Sequence, residues 1–185
     1  RWHIVADYTL EEIKRLRLLD PEGGDHPVPT LDEALDLIDG RVPVLLALKG
    51  YDVDSLAALL KTRDAENLLL YDPADLPKLQ AITAATGIGA WGSVTDARDA
   101  IAGLDERMEK FGAELKIIDV EQDQLTPELV ARAKQLGVRI GLRGIGWEDI
   151  ALKGGNTAPW LEAFDSPVAV LWTEYPDTVL ELLGR

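Results

Sequence analysis

The chain has 185 residues, 46% of them hydrophobic, no cysteine and a formal net charge of −14. That length and composition suit one buried core and exclude a disordered chain, disulfide cross-links and thiolate chemistry. The acidic balance argues against a nucleic-acid backbone as partner, which needs clustered Lys and Arg. There is no apolar run of about 18 residues that would span a membrane, and Arg1 to Asp7 do not read as a signal peptide.

In chain order, Thr9 and Glu12 stand three apart, the capping-box spacing, and predict a helix with Leu10, Ile13, Leu16 and Leu19 on one face. A Gly-Gly-Asp-His-Pro loop, Gly23 to Pro27, is expected to end it. Thr30 and Glu33 repeat the box for a second helix with Leu31, Ala34, Leu35 and Ile38 facing inward, and Gly40 suits a left-handed C-terminal position. Short apolar runs then predict strands at Val42 to Leu48, Asn67 to Tyr71, Gly87 to Ala90, Leu115 to Val120, Val138 to Leu142 and Val168 to Trp172. Helices are expected between or after them at Asp54 to Arg63, Asp75 to Ala84, Thr95 to Phe111, Thr126 to Leu136 and Pro176 to Leu183.

This alternation is the signature of repeated βα units in an α/β protein. It fits six units of a (βα)8 barrel or a doubly wound open sheet, which periodicity alone does not separate. A complete barrel typically needs about 250 residues, so a barrel here lacks about two strands. Gly87-Ile88-Gly89-Ala90-Trp91-Gly92 is a literal G-x-G-x-x-G, but a dinucleotide turn needs a strand before it, and Leu79 to Thr86 reads as helix. The acidic stretch Asp96, Asp99, Asp105, Glu106 and Glu109, interspersed with Arg98, Arg107 and Lys110, reads as a solvated helix face.

Several segments carry a more specific signal: Asp7-Tyr8-Thr9-Leu10-Glu11-Glu12-Ile13, Pro29-Thr30-Leu31-Asp32-Glu33, Val42 to Lys49, and Trp172-Thr173-Glu174-Tyr175-Pro176-Asp177. In this order and at these distances they resemble the glycerophosphodiester phosphodiesterase family. The resemblance implies a TIM barrel, of which this chain supplies strands three to eight as one domain over residues 1–185. It also implies phosphodiester hydrolysis assisted by a divalent cation, Ca or Mg.

The chain departs from the family's pattern at the chemistry. Ala47 stands where the family has a metal-binding Glu two residues before its Lys, here Lys49. The His-Arg-Gly, Glu-x-Asp and His-Asp motifs that the resemblance calls for are expected upstream of Arg1, and His3 and His26, the two histidines here, sit in no such motif. The expectation is therefore an N-terminally incomplete or degenerate member, with no catalytic residue, metal ligand or cofactor of its own. Lys49 and Arg143, at the ends of the third and seventh barrel strands, are the candidate substrate-binding residues for a small phosphate-bearing ligand. Where the family's seventh strand ends in Trp-Thr-Val-Asn, this chain reads Leu142-Arg143-Gly144-Ile145. Tyr71, Asp72, Trp91, Asp119, Glu121, Thr173 and Glu174 also fall at strand ends. Asp72 is expected to start a turn, Trp91 to pack in a core or lid, and Asp119 and Glu121 to enter a helix or solvate a loop. Self-association, or a missing N-terminal segment, is expected to cover the open barrel edge.

Overall fold

The computed structural model describes residues 5–18 and 24–184, and the chain divides into two compact units, Arg1–Pro43 and Val44–Arg185. In the first, Thr9 caps helix α1 (Leu10–Lys14) and Thr30 caps α2 (Leu31–Ile38), each through the reciprocal box the spacing predicts. Glu12 Oε2 accepts from Thr9 N at 2.8 Å and Glu33 Oε2 from Thr30 N at 2.9 Å. Lys14 Nζ reaches Glu33 Oε2 at 2.5 Å and ties the two helices.

Two expectations change in this unit. Helix α1 stops at Lys14 instead of running on to Leu19, which lies outside the described residues, as does Gly23. A five-residue helix without a buried face gains little by propagating. The chain instead forms a two-residue antiparallel ladder, β1 (Arg17–Leu18) with β2 (His26–Pro27), inside the stretch read as helix and loop. The left-handed turn after α2 begins at Asp39, with φ 47°, and continues through Gly40, with φ 66°, as expected of that glycine. Asp tolerates this conformation better than most residues with a Cβ.

The second unit holds a six-stranded parallel sheet in the order β3-β4-β5-β6-β7-β8, each strand beside its sequence neighbour. Its strands are β3 (Val44–Ala47), β4 (Leu68–Tyr71), β5 (Gly89–Ser93), β6 (Leu115–Val120), β7 (Arg139–Arg143) and β8 (Val170–Trp172). No strand order reverses, so the doubly wound alternative is excluded and the sheet is a curled half-barrel. Helices α3 (Val53–Leu60), α4 (Leu76–Thr86), α5 (Ala100–Phe111) and α6 (Pro127–Leu136) follow β3 to β6, and α9 (Pro176–Leu182) follows β8. Asp52, Asp75, Asp99 and Thr126 cap the first four through side-chain oxygens.

Strand residues alternate between two buried faces, as parallel sheets require. One set, including Leu70, Ala90, Ile118 and Leu142, is 0% exposed. The other gathers Leu45, Leu69, Tyr71, Trp91, Ile117, Val170 and Trp172 into one cluster on the inner face. Gly141 faces this cluster, and a Cβ there would stand 3.0 Å from the Trp91 ring.

Three boundaries move relative to the sequence reading. Gly87 ends α4 in a left-handed cap with φ 72°, so β5 starts at Gly89 and Trp91 lies inside the strand. The G-x-G-x-x-G is thus a helix cap and a strand, with no phosphate-binding turn. Helix α5 starts at Ala100, since Asp99 accepts from Ile101 N and Ala102 N, and this frees Thr95 for the preceding loop. Between β7 and β8 the chain adds α7 (Trp147–Lys153) and α8 (Ala158–Phe164), which the sequence reading left without an element.

Helix α8 contributes Trp160, fully buried, against Gly144 at the end of β7. A Cβ on Gly144 would meet Trp160 Cη2 at 2.3 Å and the Trp172 carbonyl at 3.1 Å, while Gly144 N donates to that carbonyl at 2.9 Å. Gly144→Ala is therefore expected to cost about 1–3 kcal/mol of stability through overpacking. Urea unfolding of the variant against the parent chain measures it, and an unchanged midpoint would contradict this packing.

Candidate functional site

In parallel βα architectures, functional side chains gather at the C-terminal ends of the strands. Here that end of the inner face carries Ala47, Tyr71, Ser93, Asp119, Arg143 and Trp172, one from each of β3 to β8. The pairings Ala47 with Tyr71, Ser93 with Asp119, and Arg143 with Trp172 place them as neighbours.

Asp119 is the centre of this group. It is 0% exposed, accepts from Trp91 Nε1 at 2.8 Å and from Ser93 Oγ at 3.2 Å, and has no ion-pair partner among the described residues. Burial pushes its carboxyl above the usual range, against the pull of those two hydrogen bonds and of Arg143. This corrects the expectation of a solvated loop residue. Asp119 sits one residue before the end of β6 and points inward by the strand's period. Tyr71 is pushed up by burial first and the Asp119 charge second.

Arg143 is half-buried. Its guanidinium lies 5.8 Å from the Trp172 ring centroid, and Nη1 donates to Thr95 Oγ1 at 3.4 Å. Trp172 meets Tyr71 and Trp91 edge-on, at 5.9 Å and 6.0 Å between ring centroids. The aromatic wall at this end of the sheet is thus supplied by β8, with Arg143 over its ring. Glu121, just beyond β6, is also pushed up by burial; Arg143 opposes this, and Glu148, Asp119 and Asp123 add to it.

Lys49 is exposed, two residues beyond the end of β3. It stands at the same end of the sheet as Arg143, four strands away, and no hydrogen-bond partner common to the two is present among the described residues. Asp72 behaves as expected: its Oδ1 accepts from Ala74 N at 3.1 Å and Asp75 N at 3.0 Å and holds the turn after β4. A cleft of about 610 Å³ opens nearby, lined by Thr95, Arg98, Glu121, Asp123 and Gln124 among others. Gln124 Nε2 donates to the carbonyls of Val94, Thr95 and Ala97, holding together the loops that frame it.

Asp149 is the residue sequence reasoning missed. It is 3% exposed on α7, accepts from Thr173 Oγ1 and from Glu174 N at 2.7 Å each, and fixes the loop after β8. Hydrogen bonds to a charged group contribute about 1.5–3 kcal/mol each. The helix start at Gly146 and its end at Gly154-Gly155 were the available signals.

Among the described residues no three His, Asp or Glu side chains cluster as a metal site. Ala47 occupies the inner-face position where the family resemblance calls for a carboxylate, and a methyl group offers no oxygen ligand to a hard cation. These residues do not fit a divalent cation.

No family model matches the chain, and comparison with curated proteins finds no match. Solved structures do resemble it. A glycerophosphodiester phosphodiesterase from Agrobacterium tumefaciens str. C58 superposes with a TM-score of 0.73 at 20% identity, over 97% of this chain and 72% of its own. A glycerophosphoryl diester phosphodiesterase from Parabacteroides distasonis gives 0.73 at 21%, over 97% and 64%. A candidate glycerophosphodiester phosphodiesterase from Galdieria sulphuraria gives 0.78 at 18%, over 100% and 73%. The chain therefore shares, as a six-stranded half-barrel, the fold of these structures and spans 64% to 73% of their length. No described helix is long and apolar enough to cross a membrane.

The buried carboxyl makes a pH prediction. Because its folded-state pKa lies above its unfolded value, Asp119 holds its proton more tightly in the folded state. Its contribution to stability falls as pH rises from the unfolded value through the folded one. Asp119→Asn keeps an acceptor for Trp91, and Ser93 can turn its hydroxyl to accept from the amide. The variant is expected to gain stability relative to the parent chain as pH rises from about 4 to about 8. Urea unfolding across that range reads the difference, and a gap independent of pH would contradict the assignment.

Proposed function

We propose that this chain is a phosphodiesterase-like barrel domain that binds a small phosphate-bearing molecule through Lys49 and Arg143 and does not itself hydrolyse phosphodiesters. The observation that carries this reading is the inner-face row at the strand ends. It offers one guanidinium, the hydroxyls of Ser93 and Tyr71 and an aromatic wall, with Ala47 in place of a metal carboxylate. Phosphodiester cleavage needs charge stabilisation on the phosphate and an acid–base pair to move protons to and from oxygen. The row supplies a cation for the first and no histidine for the second. In a curled sheet, strands four apart face each other across the mouth, so Lys49 and Arg143 approach one ligand from opposite sides.

A second reading rests on the sheet's two ends. Among the described residues β3 and β8 each pair on one side only, and Leu45, Val170 and Trp172 are only partly buried. A segment supplying two further strands would cover both edges and these side chains. In that reading the catalytic groups and a Ca or Mg site belong to the added segment, and the intact protein hydrolyses glycerophosphodiesters.

The purified 185-residue chain is expected to release no product from simple glycerophosphodiesters with Ca or Mg supplied. Calorimetry is expected to show weak, salt-sensitive glycerol phosphate binding, reduced about three- to five-fold by Lys49→Ala. Metal-dependent turnover abolished by Lys49→Ala would overturn the non-catalytic reading. Equal affinity in both chains would remove Lys49 from the site.

A further inference from the structure

Arg143 is a half-buried cation without an ion pair among the described residues: it donates to Thr95 and lies over Trp172. The carboxylates around it are likewise unpaired. Asp119 on β6 spends both oxygens on Trp91 and Ser93, and Glu121 beyond β6 and Glu148 on α7, 2% exposed, form no ion pair with a described residue. The guanidinium charge is therefore offset at a distance and not by contact, which leaves its donors open. An oxyanion entering the mouth meets those donors and the Ser93 and Thr95 hydroxyls, but it also meets more carboxylates than cations.

We infer that the mouth of the half-barrel is a proton-coupled oxyanion site, in which Arg143 takes the anion while Asp119 and Glu121 take up protons as it binds. The inference rests on the anion-binding reading above and assigns that site its regulation: occupancy by a phosphate or sulfate group rises as pH falls. The groups facing this centre are Tyr71 from β4, Asp96 from the loop after β5, Asp119 and Glu121 with Asp123 from β6 and its turn, and Glu148 from α7. These carry negative charge or none; the cations at this end of the sheet are Arg143, the exposed Lys49 beyond β3, and Arg98, which lines the cleft beside Glu121. Burial already pushes Asp119 and Glu121 toward the protonated form, and an adjacent anion pushes them further in the same direction. By linkage, a ligand that raises a group's proton affinity binds more tightly when that group is protonated.

Sulfate is the probe, because its charge is constant over the range used. Calorimetry at fixed ionic strength is expected to show affinity rising about ten-fold from about pH 8 to about pH 5. Titration in buffers of different ionisation enthalpy is expected to show net proton uptake. Glu121→Gln, at a partly exposed position, is expected to tighten sulfate binding at the higher pH and flatten the pH profile. Asp119→Asn is expected to do the same, and Arg143→Gln to remove binding at both values. Affinity that is independent of pH yet lost in Arg143→Gln would overturn the proton coupling and leave the anion site standing. No sulfate binding, or binding indifferent to Arg143→Gln, would overturn both.

Discussion

The two-residue period of a parallel strand buried on both faces places every group at the mouth of this half-barrel. Once Leu70, Ile118 and Leu142 turn outward to the helices, Tyr71, Asp119 and Arg143 have no choice but the interior. Asp119 therefore brings a carboxyl group into an aromatic interior. It is tolerated there because Trp91 and Ser93 donate to its two oxygens. The desolvation that remains is what raises its proton affinity. Burial, hydrogen bonding and titration at this residue are three consequences of one geometric constraint.

The aromatic packing depends on it in turn. Trp91 is held by its bond to Asp119 and finds room because Gly141 on the facing strand has no side chain. Trp172 then packs edge-on to both Trp91 and Tyr71 and presents its ring to Arg143. The guanidinium is thus positioned from two sides, by a ring and by the Thr95 hydroxyl. That hydroxyl is available because α5 begins only at Ala100, leaving Thr95 in the loop.

The fold similarity and the chemistry of the row carry different weight. Likeness at 18% to 21% identity establishes how the chain is folded, since packing constraints outlast sequence. Activity rests on a few oxygens and nitrogens at set places, which likeness of fold does not specify.

The capping boxes at Thr9 and Thr30, the strand Leu115 to Val120, and the alternation of six strands with helices were all legible in the sequence, because each rests on local spacing or on a repeated pattern. The resemblance at Val42 to Lys49 and at Trp172 to Asp177 pointed to the barrel before any coordinate. The ladder of Arg17–Leu18 with His26–Pro27, the helices around Asp149 and Trp160, and the inward burial of Asp119 were not legible. A carboxylate near a strand end has the same local sequence whether it faces water or the barrel interior, and only the register of neighbouring strands decides which. Asp149 is bonded to residues 24 and 25 positions away, a pairing that no local pattern encodes. Sequence thus determined the capped helices and the six apolar strands, through interactions within a few residues. Tertiary structure alone decided which charges share the mouth, because those interactions join separate strands.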